Sequence, residues 1–164
     1  VCGLRIGALA TRNRAVMAAA LELAELRLAL PVIDQLAVTG ALAAPRPYVD
    51  QVVAAYRARR DAVLAVLAAI PGVEAHRPGG AFYIVAGLPV DDAERFAAWL
   101  LAEFEYRGET VMVTPMRSFY ATPGAGRDEV RLALVHAPET LARAVEILAA
   151  GLAAYPGRNS RTHS

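Results

Sequence analysis

Lysine is missing from this chain: all 17 basic residues among its 164 are arginine. A coding bias explains such a composition as readily as chemistry does, but the consequence is the same. Arginine stays protonated and cannot act as an amine nucleophile, so apart from its amino terminus the chain holds no group able to form an imine. Cysteine is nearly as scarce. Cys2 is the single example, which rules out an intrachain disulfide and makes a reducing compartment, and so a cytoplasmic protein, the default expectation. No run of strongly apolar residues approaches the roughly 18 that a membrane helix needs, although 56% of residues are hydrophobic and the mean hydropathy is +0.35. The surplus is largely alanine in helical patterns. Neither charge dominates, with 17 basic and 16 acidic residues interspersed and a net charge of +1. That pattern excludes the basic stripe of a nucleic-acid binder and the acidic tail that seeks a basic partner. Residues 1–14 lack the basic lead, apolar region and cleavage site of a secretory leader. His76, His136 and His163 are scattered without metal-ligand spacing, and no metal site is expected.

What the chain does hold is organised around the stretch Gly108–Val135, GETVMVTPMRSFYATPGAGRDEVRLALV. Val130, Leu132 and Leu134 alternate with Arg131, Ala133 and Val135, a pattern that predicts a strand apolar on both faces but for one guanidinium. An unpaired buried cation costs several kcal/mol, so Arg131 needs an anion. Its planar fork matches a carboxylate bidentately. Two readings follow from the residues alone: Arg131 holds a ligand carboxylate, or it pairs with an internal Asp or Glu.

Taken in order, residues 1–10 read as a short apolar strand carrying Arg5 between Gly3 and Gly7, a start that looks like a piece of something longer. A helix is expected over residues 13–30 with Asn13 as N-cap, and a second over 32–42, before Pro45 and Pro47 break the pattern. The longest periodic run covers residues 48–70, its apolar face including Val52, Tyr56, Val63 and Leu67, with Arg57, Arg59 and Asp61 read as a solvated face. Strands are expected at 73–76 and 81–85. Asp91 and Glu94 then have capping-box spacing for a helix carrying Phe96, Leu100 and Phe104 and ending near Gly108. A strand at 109–113, the Arg131 strand and a helix opening at Pro138 complete the order, and the tail from Pro156 is polar and expected to be disordered. Strand, strand, helix, strand, strand, helix from residue 73 onward predicts an α/β chain of the α+β kind, with helices covering one face of a small sheet. The expected divisions are 1–45, the trailing part of another domain; 46–70, a connecting helix; 71–155, the small α+β domain; and 156–164, the tail.

With CGLRIG, PGGAFYIVAGLP, GETVMVTP and FYATPGAGRDEVRLAL in this order and spacing, the chain resembles the C-terminal portion of class I and II aminotransferases, the pyridoxal-phosphate enzymes of fold type I, and is most similar to their aspartate-aminotransferase-like bacterial group. Each motif alone is weak; the four together are specific. The resemblance implies that Arg5 binds the phosphate of pyridoxal 5′-phosphate and that Arg131 holds the substrate α-carboxylate. It also implies that Phe119 and Tyr120 lie on the loop approaching the substrate, with Tyr83 nearby, although ordinary packing explains these aromatics equally well. It further implies amino-acid and 2-oxo-acid substrates and a homodimer. The lysine that holds the cofactor as a Schiff base and moves the proton would fall before Val1, so no catalytic residue is expected in this chain and it is read as a fragment not competent alone. A lyase of the same fold, and a non-catalytic ligand-binding module, stand as alternatives. Where the family usually has glycine after the proline of GETVMVTP, this chain has Met116, which reaches positive φ less readily and implies a narrower or more apolar side-chain pocket.

Overall fold

The computed structural model describes residues 2–159, with Cys2 described by its backbone alone, so residues 160–164 of the expected tail lie outside it. The chain divides between Gln51 and Val52 into two compact units.

The first unit is helical. Instead of the expected strand, residues 2–10 form one 3-10 turn, Cys2–Leu4, followed by Arg5 at φ 57° and irregular chain. A strand needs a hydrogen-bonded neighbour, and no described segment pairs with this one. Helix α1 (Arg14–Glu25) starts where expected: the Asn13 side chain accepts from the Ala15 and Val16 backbone N–H groups at 3.0 and 3.2 Å. It ends short of Leu30, because the chain reverses through Leu28 at φ 64°. Helix α2 spans Val32–Leu42. Neither helix buries a residue, and Leu23, Leu26, Ile33 and Leu42 are each at least 69% exposed.

Helix α3 (Arg46–Leu67) runs through the division, and the second unit contains its latter part with Val63 and Leu67 buried. The sheet has four antiparallel strands, β1 (Glu74–Ala75), β2 (Tyr83–Gly87), β3 (Thr114–Pro115) and β4 (Glu129–Ala133), in the order β1-β2-β4-β3. Helix α4 (Ala93–Ala102) connects β2 to β3, and α5 (Pro138–Ala154) follows β4. Side chains alternate across a strand, so Ile84, Ala86 and Val130 all face one way. There they meet Val63 and Leu67 of α3, Phe96 and Leu100 of α4, and Val145, Leu148 and Leu152 of α5. Burying each of these larger side chains stabilises the fold by about 1.5–3 kcal/mol. Tyr83, Val85, Glu129 and Arg131 lie on the other face and are only half-buried.

Several expectations are corrected. The strand foreseen at 109–113 does not form; pairing to β4 begins at Thr114, opposite Arg131. The cap of α4 is Asp92, not Asp91, and accepts from the Glu94 and Arg95 N–H groups at 2.9 and 3.2 Å. Asp91 instead accepts the Tyr155 hydroxyl at 2.9 Å and pairs with Arg95. Burial, with that hydrogen bond, pushes Tyr155 up to about 12. Residues 156–159 are tied down rather than free: the Asp91 N–H donates to the Gly157 carbonyl and the Asn159 N–H to that of Pro89, both at 2.9 Å. Arg59 is not simply solvated either, since its guanidinium lies 5.0 Å from the Tyr56 ring and donates to the Leu134 carbonyl.

Candidate functional site

Arg131 sits on β4 between Val85 of β2 and Thr114 of β3. The alternation of β4 turns it away from the helices, onto the half-open face. This corrects the expectation of a strand apolar on both sides: helices cover one face only, so the guanidinium is not sealed in an apolar interior. Two aromatic rings hold it instead. Its central carbon lies 4.2 Å from the Tyr83 ring centroid and 4.8 Å from that of Phe119. Aromatic faces attract a cation and leave the in-plane N–H groups free to donate.

Among the described residues no carboxylate comes within ion-pair distance of Arg131, whereas Arg60, Arg117 and Arg143 each have an acidic partner. Glu129, two positions away on the same strand face, accepts the Tyr120 hydroxyl at 2.5 Å. That bond, with a smaller contribution from burial, raises the Tyr120 pKa above its ordinary value. Of the two readings left open by the sequence, an internal acidic partner therefore finds no support among the described residues. A cleft of about 400 Å³ on this side of the sheet is lined by His76, Tyr83, Val85, Tyr120 and Glu129, among others.

The loop from Met116 to Asp128 frames that face. It opens with a 3-10 turn, Arg117–Phe119, and its chain is set by hydrogen bonds from the Met116 N–H to the Glu129 carbonyl and from the Phe119 N–H to the Met116 carbonyl, both 2.9 Å. Gly126, at φ 68°, lets the Tyr120 ring lie on the backbone, because a Cβ there would sit 2.5 Å from it. Met116 occupies φ −98°, an ordinary right-handed conformation, and is 8% exposed. Its side chain is buried, so the backbone difficulty expected from replacing glycine does not arise.

Arg5 belongs to the first unit and Arg131 to the second. Arg5 is exposed, and a Cβ at Gly3 or Gly7 would meet nothing within 4 Å. The local donor set, one guanidinium between two glycines, suits a phosphate dianion that approaches the backbone closely. Sequence reasoning brought Tyr83 and Phe119 into the neighbourhood without a contact. It missed Arg117, which donates to Asp92 across 25 positions at 2.5 Å; no sequence period marks such a pair.

Three comparisons bear on this geometry. The family described as Aminotransferase class I and II matches residues 1–148. The aspartate aminotransferase of Musicola paradisiaca (strain Ech703) is 36% identical over 121 residues, which is 70% of this chain and 28% of that protein. Among solved structures, LysN, an α-aminoadipate aminotransferase from Thermus thermophilus complexed with N-(5′-phosphopyridoxyl)-L-leucine, superposes with a TM-score of 0.72 at 25% identity, over 93% of this chain and 39% of its own. Aspartate aminotransferase from Thermus thermophilus with maleate gives a TM-score of 0.54 at 35% identity, over 65% of this chain and 25% of that one. The chain thus spans well under half the length of each of these relatives.

Proposed function

The chain belongs to the class I and II aminotransferases, and from that premise we propose that it supplies the carboxylate-binding part of a pyridoxal-phosphate aminotransferase moving an amino group between an amino acid and a 2-oxo acid. The observation that carries this reading is Arg131, held against two rings on the open sheet face without an acidic partner among the described residues. Arg131 binds and orients the substrate α-carboxylate through its N–H fork, and Tyr83 and Phe119 cover its faces and keep water from them. Arg5 would hold the cofactor phosphate. When bound, pyridoxal phosphate supplies the electron sink that stabilises negative charge at the substrate Cα. The chain has no lysine, so the amine that holds the cofactor and the base that moves the proton come from outside it, and the chain alone is not competent. In this reading residues 1–45 belong to the large cofactor-binding domain and 71–155 to the small one, and the whole enzyme is a cytoplasmic homodimer.

The test is kinetic, on the enzyme that carries this chain. Arg131→Ala should lower kcat/KM by about 30-fold to several thousand-fold, equivalent to losing one buried charge-assisted pair. The loss should be similar for acidic and apolar amino acids, because the α-carboxylate is common to both. A loss confined to one substrate class would assign Arg131 to the side chain instead. Product analysis separates a lyase of the same fold: ammonia released without a new amino acid would overturn transamination. The absence of lysine also fits a non-catalytic module, for which the isolated chain should bind the cofactor without forming an imine.

A further inference from the structure

Asp92 is explained by its role as helix cap, yet the cap uses only one of its oxygens. Oδ1 accepts from the Glu94 and Arg95 N–H groups. Oδ2 faces the loop: the Arg117 Nη2 donates to it at 2.5 Å, and the Arg127 Nε lies 3.7 Å away, with the Asp92 side chain only 10% exposed. Arg117 reaches α4 a second time, its Nη1 standing 3.4 Å from the Glu94 Oε2. At the far end of the loop the Ala93 N–H donates to the Arg127 carbonyl at 2.8 Å. The loop is therefore pinned to the N-terminus of α4 near both its ends.

Phe119 closes the single 3-10 turn that Arg117 opens. Phe119 is 53% exposed, so little surrounding packing holds its ring against Arg131; the placement of its turn must. We propose that Asp92 and Arg117 are positioning residues for Arg131: their ion pair latches the turn to α4, and the turn sets the Phe119 ring against the guanidinium in the orientation that receives a carboxylate. The inference rests on the carboxylate reading of Arg131 and adds the means by which the site is pre-organised.

The experiment uses the enzyme that carries this chain, with the Arg131 Nε–H followed by NMR and maleate as the probe. Asp92→Asn keeps an oxygen for the Glu94 and Arg95 N–H groups, so the cap survives while the charge facing Arg117 is lost; unchanged helicity by circular dichroism checks this. Asp92→Asn and Arg117→Ala should both shift the Arg131 signal toward its position in Phe119→Leu, and should weaken maleate binding about twofold to fivefold, the range of one exposed cation–aromatic contact. Arg117→Lys should recover part of the loss, and adding Arg117→Ala to Phe119→Leu should change nothing further. An Arg131 signal and affinity that stay at wild-type values in both latch variants would overturn the proposal, as would additive losses in the double variant. If maleate fails to bind even the wild type while the latch variants still move the Arg131 signal, the carboxylate reading falls and the positioning role stands.

Discussion

A guanidinium can be satisfied by an acid or by faces and water, and this chain uses both solutions within one loop's reach. Arg117 is spent on Asp92 and Glu94, whereas Arg131 lies against the rings of Tyr83 and Phe119 with its donor edge uncommitted to any described carboxylate. Identity alone does not separate the two arginines; their neighbours do. The same holds for Gly126, whose missing side chain makes room for Tyr120. Gly126→Ala would force a β-carbon into left-handed backbone, at about 1–2 kcal/mol, and push the ring from its seat. The melting midpoint should fall by roughly 2–8 °C, with a change in the near-ultraviolet tyrosine signal. A variant that melts and absorbs like the wild type would mean that the loop is not built on this contact.

At the scale of elements, α4 is the part on which the loop depends. Its N-cap is also the loop's anchor, so loss of Asp92 acts twice. Asp92→Ala should destabilise the chain by about 1 kcal/mol, up to 2, from the cap, and by more for the stranded Arg117; Asp92→Asn should retain most of the cap contribution. Acid dependence follows from the same contacts. Burial pushes the Asp92 carboxyl up, but the Arg95 and Glu94 N–H groups and the Arg117 guanidinium together outweigh it and hold the carboxyl below its ordinary value. A carboxyl lowered in the folded state contributes stability that is present above its unfolded pKa, about 3.9, and lost as pH falls through the lower folded value. Chemical denaturation of the wild type and Asp92→Asn should therefore give stabilities that differ at pH 6, begin to approach each other near pH 4, and meet only below the lowered folded value. Arg127, Arg95, Glu94 and Asp91 also face this end of the helix.

Across the whole chain the two units differ in what they bury. The second has a core from α3, α4, α5 and one sheet face; α1 and α2 bury nothing, and leave leucine, isoleucine and valine side chains exposed. Hydrogen exchange on the 164-residue chain should show amides of α5 and β2 exchanging through global unfolding, and those of α1 and α2 about 100-fold faster or more. Equal protection would mean that the helices of the first unit share the stability of the second. Local patterns were enough to determine the Asn13 cap, the helix that opens at Pro138, a small sheet covered by helices on one face and the isolation of one arginine on the last strand, because capping, helical period and strand alternation are set by residues close in sequence. Four ordered motifs were likewise enough to name the family. What only the tertiary structure decided lies between distant segments: that pairing with β4 starts at Thr114 rather than in 109–113, that Arg131 faces the open side and is gripped by Tyr83 and Phe119, that Asp92 rather than Asp91 caps α4, and that its second oxygen is bound to Arg117. Each is a choice among local options of nearly equal energy, settled by which partner the folded chain brings within a few ångströms.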